Sequence, residues 1–335
     1  MKINTLLCLA SLQIALLVSP LVLASDDIKP TLTVYTYDSF TSDWGPGPKI
    51  KTAFEKDCNC QLNLIAEEDG VSILNRLKIE GKKAKADVIL GLDHALIKEA
   101  KKTGLIATHQ QNFSTLESSL NWTDDSFVPY DFGYFAFIYD STKISKPVSS
   151  LKELVNSDAS VIYQDPRTST PGQGLMFWMN SVYKDDTAKA WKQLASHTQT
   201  VTKGWYEGYS MFLKGGADYV LSYTTSPAYH MIAESENKYQ AAQFSEGHIA
   251  QVEVAAALNT SKHPKLAQSF LTFLISNQAQ QILPVTNWML PVVKDVTLPE
   301  QFDQLISPAP IAMNIEELAD MRKDWIKVWR SSAVK

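Results

Sequence analysis

The sequence predicts an α/β protein of two lobes joined by two long crossing strands. Three observations carry this reading. Strand-like and helix-like segments alternate from residue 31 to about residue 105. A second alternating unit fills the middle of the chain. Two long apolar runs flank that unit, "FVPYDFGYFAFIYD" and, far downstream, "HIAQVEVAAALNT", each suited to a long buried strand.

In order, "LTVYTY" is a strand that breaks at Asp38 into a polar and aromatic loop containing Trp44 and two Gly-Pro pairs. "IKTAFEKDCNC" reads as a helix, "QLNLIAEED" as an alternating strand, "SILNRLKIEGKK" as a helix and "ADVILGLD" as a strand. "HALIKEAKKTGLI" is an amphipathic helix. Such alternation implies a parallel sheet covered on both faces. The second unit runs "SLKELV" helix, "SVIYQDP" strand, "GLMFWMNSVY", "AKAWKQLASH" and "SMFLKGG" helices, then "ADYVLSYTT" strand. The C-terminal "HPKLAQSFLTFLISNQAQQIL" is a helix pair, and "IEELADMRKDWIKVWR" is a last helix expected to pack on the first lobe. With no low-complexity linker, the lobes are expected to hinge on the crossing strands and to capture a ligand by closing. Residues 25–134 and 249–335 are expected in the first lobe and 135–248 in the second.

Lys2 followed by an unbroken stretch of apolar and small residues to Ala24 reads as a secretory signal, cleaved after Ala24. Its removal leaves 311 residues and takes the formal net charge from −5 to −6, because one lysine goes and no acid does. That length suggests two domains. The mild acidity argues against nucleic acid or anionic lipid as partners, and no second apolar run is long enough to span a membrane.

Cys58 and Cys60 are the cysteines that remain, and an exported chain favours a local disulfide between them over a metal or redox site. Familiar catalytic patterns fail on context. Ser149-Ser150-Leu151-Lys152 sits at a helix start where a serine caps, and Asp131-Phe132-Gly133 lacks the other parts of a kinase. Zinc or serine-hydrolase chemistry has no support in the histidine spacing. The chain reads as a binding protein with no enzyme activity, metal or cofactor.

Aromatic residues at strand ends and turns stand out instead: Tyr37, Trp205, Tyr223, Tyr229 and Trp288. Trp178 and Trp191 fall within helical periodicity and read as core. Trp205, after Lys203-Gly204, and Trp288, after Thr286-Asn287, are demanded by no helix face, and ligand contact and plain packing stay open for both. "QDPRTSTPGQG" opens a helix whose first amides either receive an anion or are simply capped. "AEEDGVS" places Glu67, Glu68 and Asp69 at a strand end, where they either meet a cationic ligand or cap the next helix.

Taken together, "LTVYTYDSF…DWGPGP", "FEKDCNCQLNL", "EDGVS", "VIYQDPRTSTPG", "VTKGW", "VLSYTTSPAYH" and "NWMLPV" resemble, in order, the periplasmic thiamine-binding proteins of Gram-negative bacteria. These are the solute receptors of thiamine ABC importers. The resemblance implies a type II periplasmic-binding-protein fold in the periplasm. It implies a cleft for thiamine, thiamine monophosphate or thiamine diphosphate, and a membrane permease as partner. It makes Tyr37 and Tyr229 look like a pair that sandwiches the aminopyrimidine, and Asp69 and Gly70 look like polar contacts. Ser169 looks like part of the phosphate or hydroxyethyl end, with Trp205, Tyr223, Asn287 and Trp288 completing the wall. Thiamine joins a flat pyrimidine to a permanent thiazolium cation, so ring faces attract it, each by roughly 0.5 to 2 kcal/mol. Two rivals use similar scaffolds: a thiaminase-like enzyme with a cysteine nucleophile, and a receptor for ferric ion or polyamine.

Overall fold

The computed structural model describes residues 29–312 and 314–333, so the predicted signal segment lies outside the described residues. Ten strands form one twisted mixed sheet: β1 (Thr31–Tyr37), β2 (Gln61–Glu67), β3 (Val88–Asp93), β4 (Val128–Asp140), β5 (Val161–Gln164), β6 (Thr198–Thr202), β7 (Tyr219–Tyr223), β8 (Tyr239–Ala241), β9 (Ala250–Ala257) and β10 (Leu290–Pro291). The order is β2-β1-β3-β9-β4-β7-β5-β6, with β8 and β10 also on β4.

The flanks β2-β1-β3 and β7-β5-β6 are parallel, as strand-helix alternation requires. β9 and β4, the two crossing strands, run antiparallel to their neighbours and join the two parallel flanks into one mixed sheet. The reason is topological: a chain that crosses to a second lobe and returns must enter the middle of the sheet in the opposite sense.

β4 spans both halves of the sheet. Its first half, through Tyr134, pairs with β9, and its second half, from Phe135, pairs with β7. Nearly all of its side chains are buried, so the strand belongs to both cores.

Around the first lobe lie α1 (Asp38–Thr41), α2 (Gly47–Cys58), α3 (Gly70–Glu80) and α4 (Ile97–Lys101). Around the second lie α5 (Leu151–Asn156), α6 (Thr170–Tyr183), α7 (Thr187–His197), α8 (Trp205–Leu213) and α9 (Ser226–Ala233). The chain then returns through α10 (Pro264–Leu274) and α11 (Asn277–Ile282) to α12 (Ile315–Ala333). Trp178 and Trp191 are fully buried in the second core. Ser150 caps α5, accepting from the Glu153 amide at 2.9 Å. Cys58 and Cys60 are bonded to each other at the end of α2.

The loop after Tyr37 opens with the one-turn helix α1 and continues through turns over residues 42–46, Trp44 among them. One expectation gives way here. The last helix packs chiefly on the second lobe: Trp329 is fully buried there and donates through Nε1 to the Tyr163 hydroxyl at 3.2 Å, while Trp325 meets Phe177. The tryptophan face of α12 fits the large aromatic core of that lobe. Its polar face bridges back to the first lobe, pairing Asp320 with Lys98 and Arg322 with Glu99. The segment 249–335 is therefore divided, with α12 belonging to the other core.

Candidate functional site

A cavity of about 260 Å³ opens between the lobes. Seven of the nine residues singled out in the sequence line it: Tyr37, Asp69, Trp205, Tyr223, Tyr229, Asn287 and Trp288. Chain distance hides how they meet, because β1, the turn into α3, α8, β7, α9 and the segment before β10 all point their ends into one cleft. That is where open α/β sheets place ligands.

Tyr37 ends β1 and reaches the floor. Its hydroxyl donates to Glu253 Oε2 at 2.8 Å and accepts from Asn287 Nδ2 at 3.0 Å. Gly91 makes room for that ring, since a Cβ there would stand 2.3 Å from Tyr37 Cδ1.

Trp205 is the first residue of α8, not part of an irregular turn. Its indole stacks on Tyr209, one helical turn on, with ring centroids 5.0 Å apart, and donates to Ser222 Oγ at 2.7 Å. The glycine-opened start concealed the helix from periodicity. Tyr229 lies in α9 and meets Trp288 edge to face, with centroids 5.4 Å apart. Trp288 combines two costly features. Its φ is 58°, unusual for a bulky side chain, and its Nε1 is buried without a hydrogen-bond partner.

Gly70 and Ser169 stand behind the wall. The Gly70 amide donates to its neighbour Asp69 Oδ1 at 2.7 Å, and any side chain at Gly70 would strike the Gly91 carbonyl. Ser169 caps α6 by accepting from the Gly172 amide and donates to Asp69 Oδ2 at 2.9 Å. Asp69 also accepts from the Thr170 amide at 3.0 Å and the Trp205 amide at 3.1 Å. One carboxylate of the first lobe thus occupies the starts of two helices of the second. It caps its own helix and clasps the lobes at once.

The sequence reading named Asp38 and Trp44 in the loop after β1 and Glu68 beside Asp69 without carrying them into the site, and it missed Tyr206, Tyr209 and Glu253; all six are on the cavity wall. Trp44 of the first lobe touches Tyr206, at 5.4 Å, and Trp205, at 6.4 Å, across the cleft mouth. Glu253 had a signal: it is the one charge in the apolar run of β9.

The charges have one sign. Asp38, Glu68, Asp69 and Glu253 line the cavity, and no lysine or arginine does. Burial, then Asp69, pushes the Asp38 carboxyl up to about 7. Burial likewise raises Asp69, against the pull of its donors. Glu253 is raised by burial despite the hydroxyls of Tyr130 and Tyr37. An acidic pocket walled by rings is built for a flat cation. The disulfide-bonded cysteines lie outside this wall, which leaves a thiaminase-like mechanism without its nucleophile.

Residues 46–281 match the family model of the bacterial extracellular solute-binding proteins. The chain is 57% identical over 305 residues to the thiamine-binding periplasmic protein of Escherichia coli K12, covering 90% of this chain and 93% of that one. It is 46% identical over 311 residues to that of Haemophilus influenzae, covering 91% and 93%. A solved periplasmic thiamin binding protein superposes with a TM-score of 0.90 at 54% identity, over 92% of this chain and 98% of the other. The ferric binding protein from Campylobacter jejuni, at 16% identity and a TM-score of 0.75, over 90% of this chain and 99% of that one, shares the fold alone. With the cleft geometry and these similarities, the chain belongs to the bacterial extracellular solute-binding proteins, in the family of the thiamine-binding periplasmic proteins.

Proposed function

We propose that this chain is a periplasmic receptor that binds thiamine between its lobes and hands it to the permease of an ABC importer. The observation that carries this reading is the composition of the cavity wall: acids from the first lobe stand among aromatic rings from both. A thiazolium cation satisfies the acids, and an aminopyrimidine offers a flat face to the rings. Tyr37, Tyr229 and Trp288 would hold the ring system, with Trp205 and Tyr223 closing the far side.

Because residues of both lobes reach the ligand together only when the lobes meet, the ligand binds the closed form better than the open one. That difference in affinity is what a population shift requires. The closed form is then the state a permease recognises. Thiamine monophosphate and diphosphate fit the same cleft, with their phosphates competing with Asp69 for the amides of Thr170 and Trp205.

Calorimetric titration of the purified protein with thiamine tests the reading. Saturable one-to-one binding in the submicromolar range, stronger than about −8 kcal/mol, is expected. Absence of binding at millimolar thiamine rejects it.

A further inference from the structure

The two crossing strands carry one charge each inside otherwise apolar stretches, Asp131 in β4 and Glu253 in β9, and the register sets them opposite one another. Asp131 is fully buried and Glu253 is 6% exposed. A single amide, Asn287 Nδ2, reaches both, at 2.6 Å from Asp131 and 3.4 Å from Glu253. Glu253 further accepts from the Tyr37 hydroxyl at 2.8 Å, the Tyr130 hydroxyl at 2.6 Å and Gln251 Nε2 at 3.0 Å.

Those donors are all neutral. The other groups facing the pair are Tyr223 from β7, Asp69 from the turn before α3 and Asp93, the register partner of Glu253 on β3. Arg322 of α12 acts at the far end of this row, on Asp93 and Glu99. Two facing carboxylates in so dry a place, with neutral donors and further acids around them, do not both ionise. Burial, followed by the charge of Glu253, holds Asp131 well above the usual carboxylate range.

Glu253 lines the cavity. We propose that the Asp131–Glu253 pair is the charge-selecting element of the cleft: it holds one proton while the cleft is empty and releases it to solvent when a cationic ligand enters. This rests on the reading of the cavity as a thiamine site. The thiazolium supplies the countercharge that the fold withholds, so its field favours the fully ionised pair. Ligand affinity then climbs with pH, by about tenfold per unit wherever one proton leaves on binding.

The test is calorimetry of the purified protein with thiamine at pH 8, in buffers of different ionisation enthalpy. At that pH Asp38, at about 7, is already mostly ionised and contributes little. The expected result is a buffer-dependent enthalpy equivalent to about one proton released per thiamine bound. It should fall close to zero in Asp131→Asn and in Glu253→Gln, whichever of the two folds. Tight binding with no buffer dependence in the unaltered protein overturns the proposal and leaves the functional reading standing. Release that persists in a folded variant of either residue also overturns it. No binding at all, by calorimetry and by equilibrium dialysis, removes the functional reading and this proposal with it.

Discussion

The two sides of the cleft differ in kind. The first lobe contributes every acid, Asp38, Glu68, Asp69 and Glu253, together with the rings of Tyr37, Trp44 and Trp288, whereas the second contributes Trp205, Tyr206, Tyr209, Tyr223 and Tyr229 and no charged side chain. Neither side alone completes a site for a flat cation: the second lobe offers ring faces without a carboxylate, and the acids and rings of the first cover one side of the ligand only. The division makes recognition a property of the closed molecule. Asp69 and Trp44 are the exceptions that prove useful, since each reaches from the first lobe onto the second.

The largest way to break this arrangement is Asp69→Ala. It strips the carboxylate from the Gly70, Thr170 and Trp205 amides and the Ser169 hydroxyl, where charged hydrogen bonds contribute roughly 1.5 to 3 kcal/mol each. Thiamine affinity should fall about a hundredfold, and small-angle scattering should show a more open unliganded molecule; a variant unchanged in both leaves Asp69 no role across the cleft. Next come the rings. Tyr229→Ala and Trp205→Ala should each weaken binding by about tenfold or more, about 1.4 kcal/mol, and calorimetry giving unaltered affinity for both would move the site elsewhere.

A smaller effect is expected at the mouth. Trp44 is 41% exposed and only tilts against Tyr206 and Trp205, so Trp44→Ala should cost roughly three- to fivefold, mostly as faster release in stopped-flow fluorescence.

The mildest test concerns pH. Burial raises Asp38 and Asp93 to about 7 each, above their unfolded values, so between the two values the folded chain binds more protons than the unfolded one. Stability from these groups is then present in full below the unfolded range and is lost as pH rises through about 7. Buried histidines such as His94, pushed down to about 4, act in the opposite sense up to about pH 7. The difference therefore decides: from pH 6 to pH 8 the melting temperature of the unaltered protein should fall relative to that of Asp93→Asn, and the absence of a relative fall contradicts the burial argument.

Much of the fold was legible because it rests on periodicity. β4 and β9 announce themselves as long apolar runs, and the two acids that interrupt them, Asp131 and Glu253, turn out to face one another. What stayed hidden depends on contacts between distant segments. No local pattern shows that Asp69 fills the helix starts at Thr170 and Trp205, so "TSTPG" leaves ligand binding and capping both open where the protein itself occupies these groups. Tyr206 was missed for the same reason, as it meets Trp44 of the other lobe. The docking of α12 was misread because an amphipathic helix reveals that it packs, not on what, and the deciding fit is between Trp325 or Trp329 and the aromatic core around Phe177 and Tyr163.

The central claim is that charge supplied by one lobe, added to stacking supplied by both, selects the ligand. Its most direct test is a pair of calorimetric titrations, with thiamine and with 3-deazathiamine, whose thiophene keeps the shape of the thiazolium and lacks its charge. A few partly screened carboxylates around a cation predict thiamine tighter by about a hundredfold. Equal affinities for the two would contradict the account.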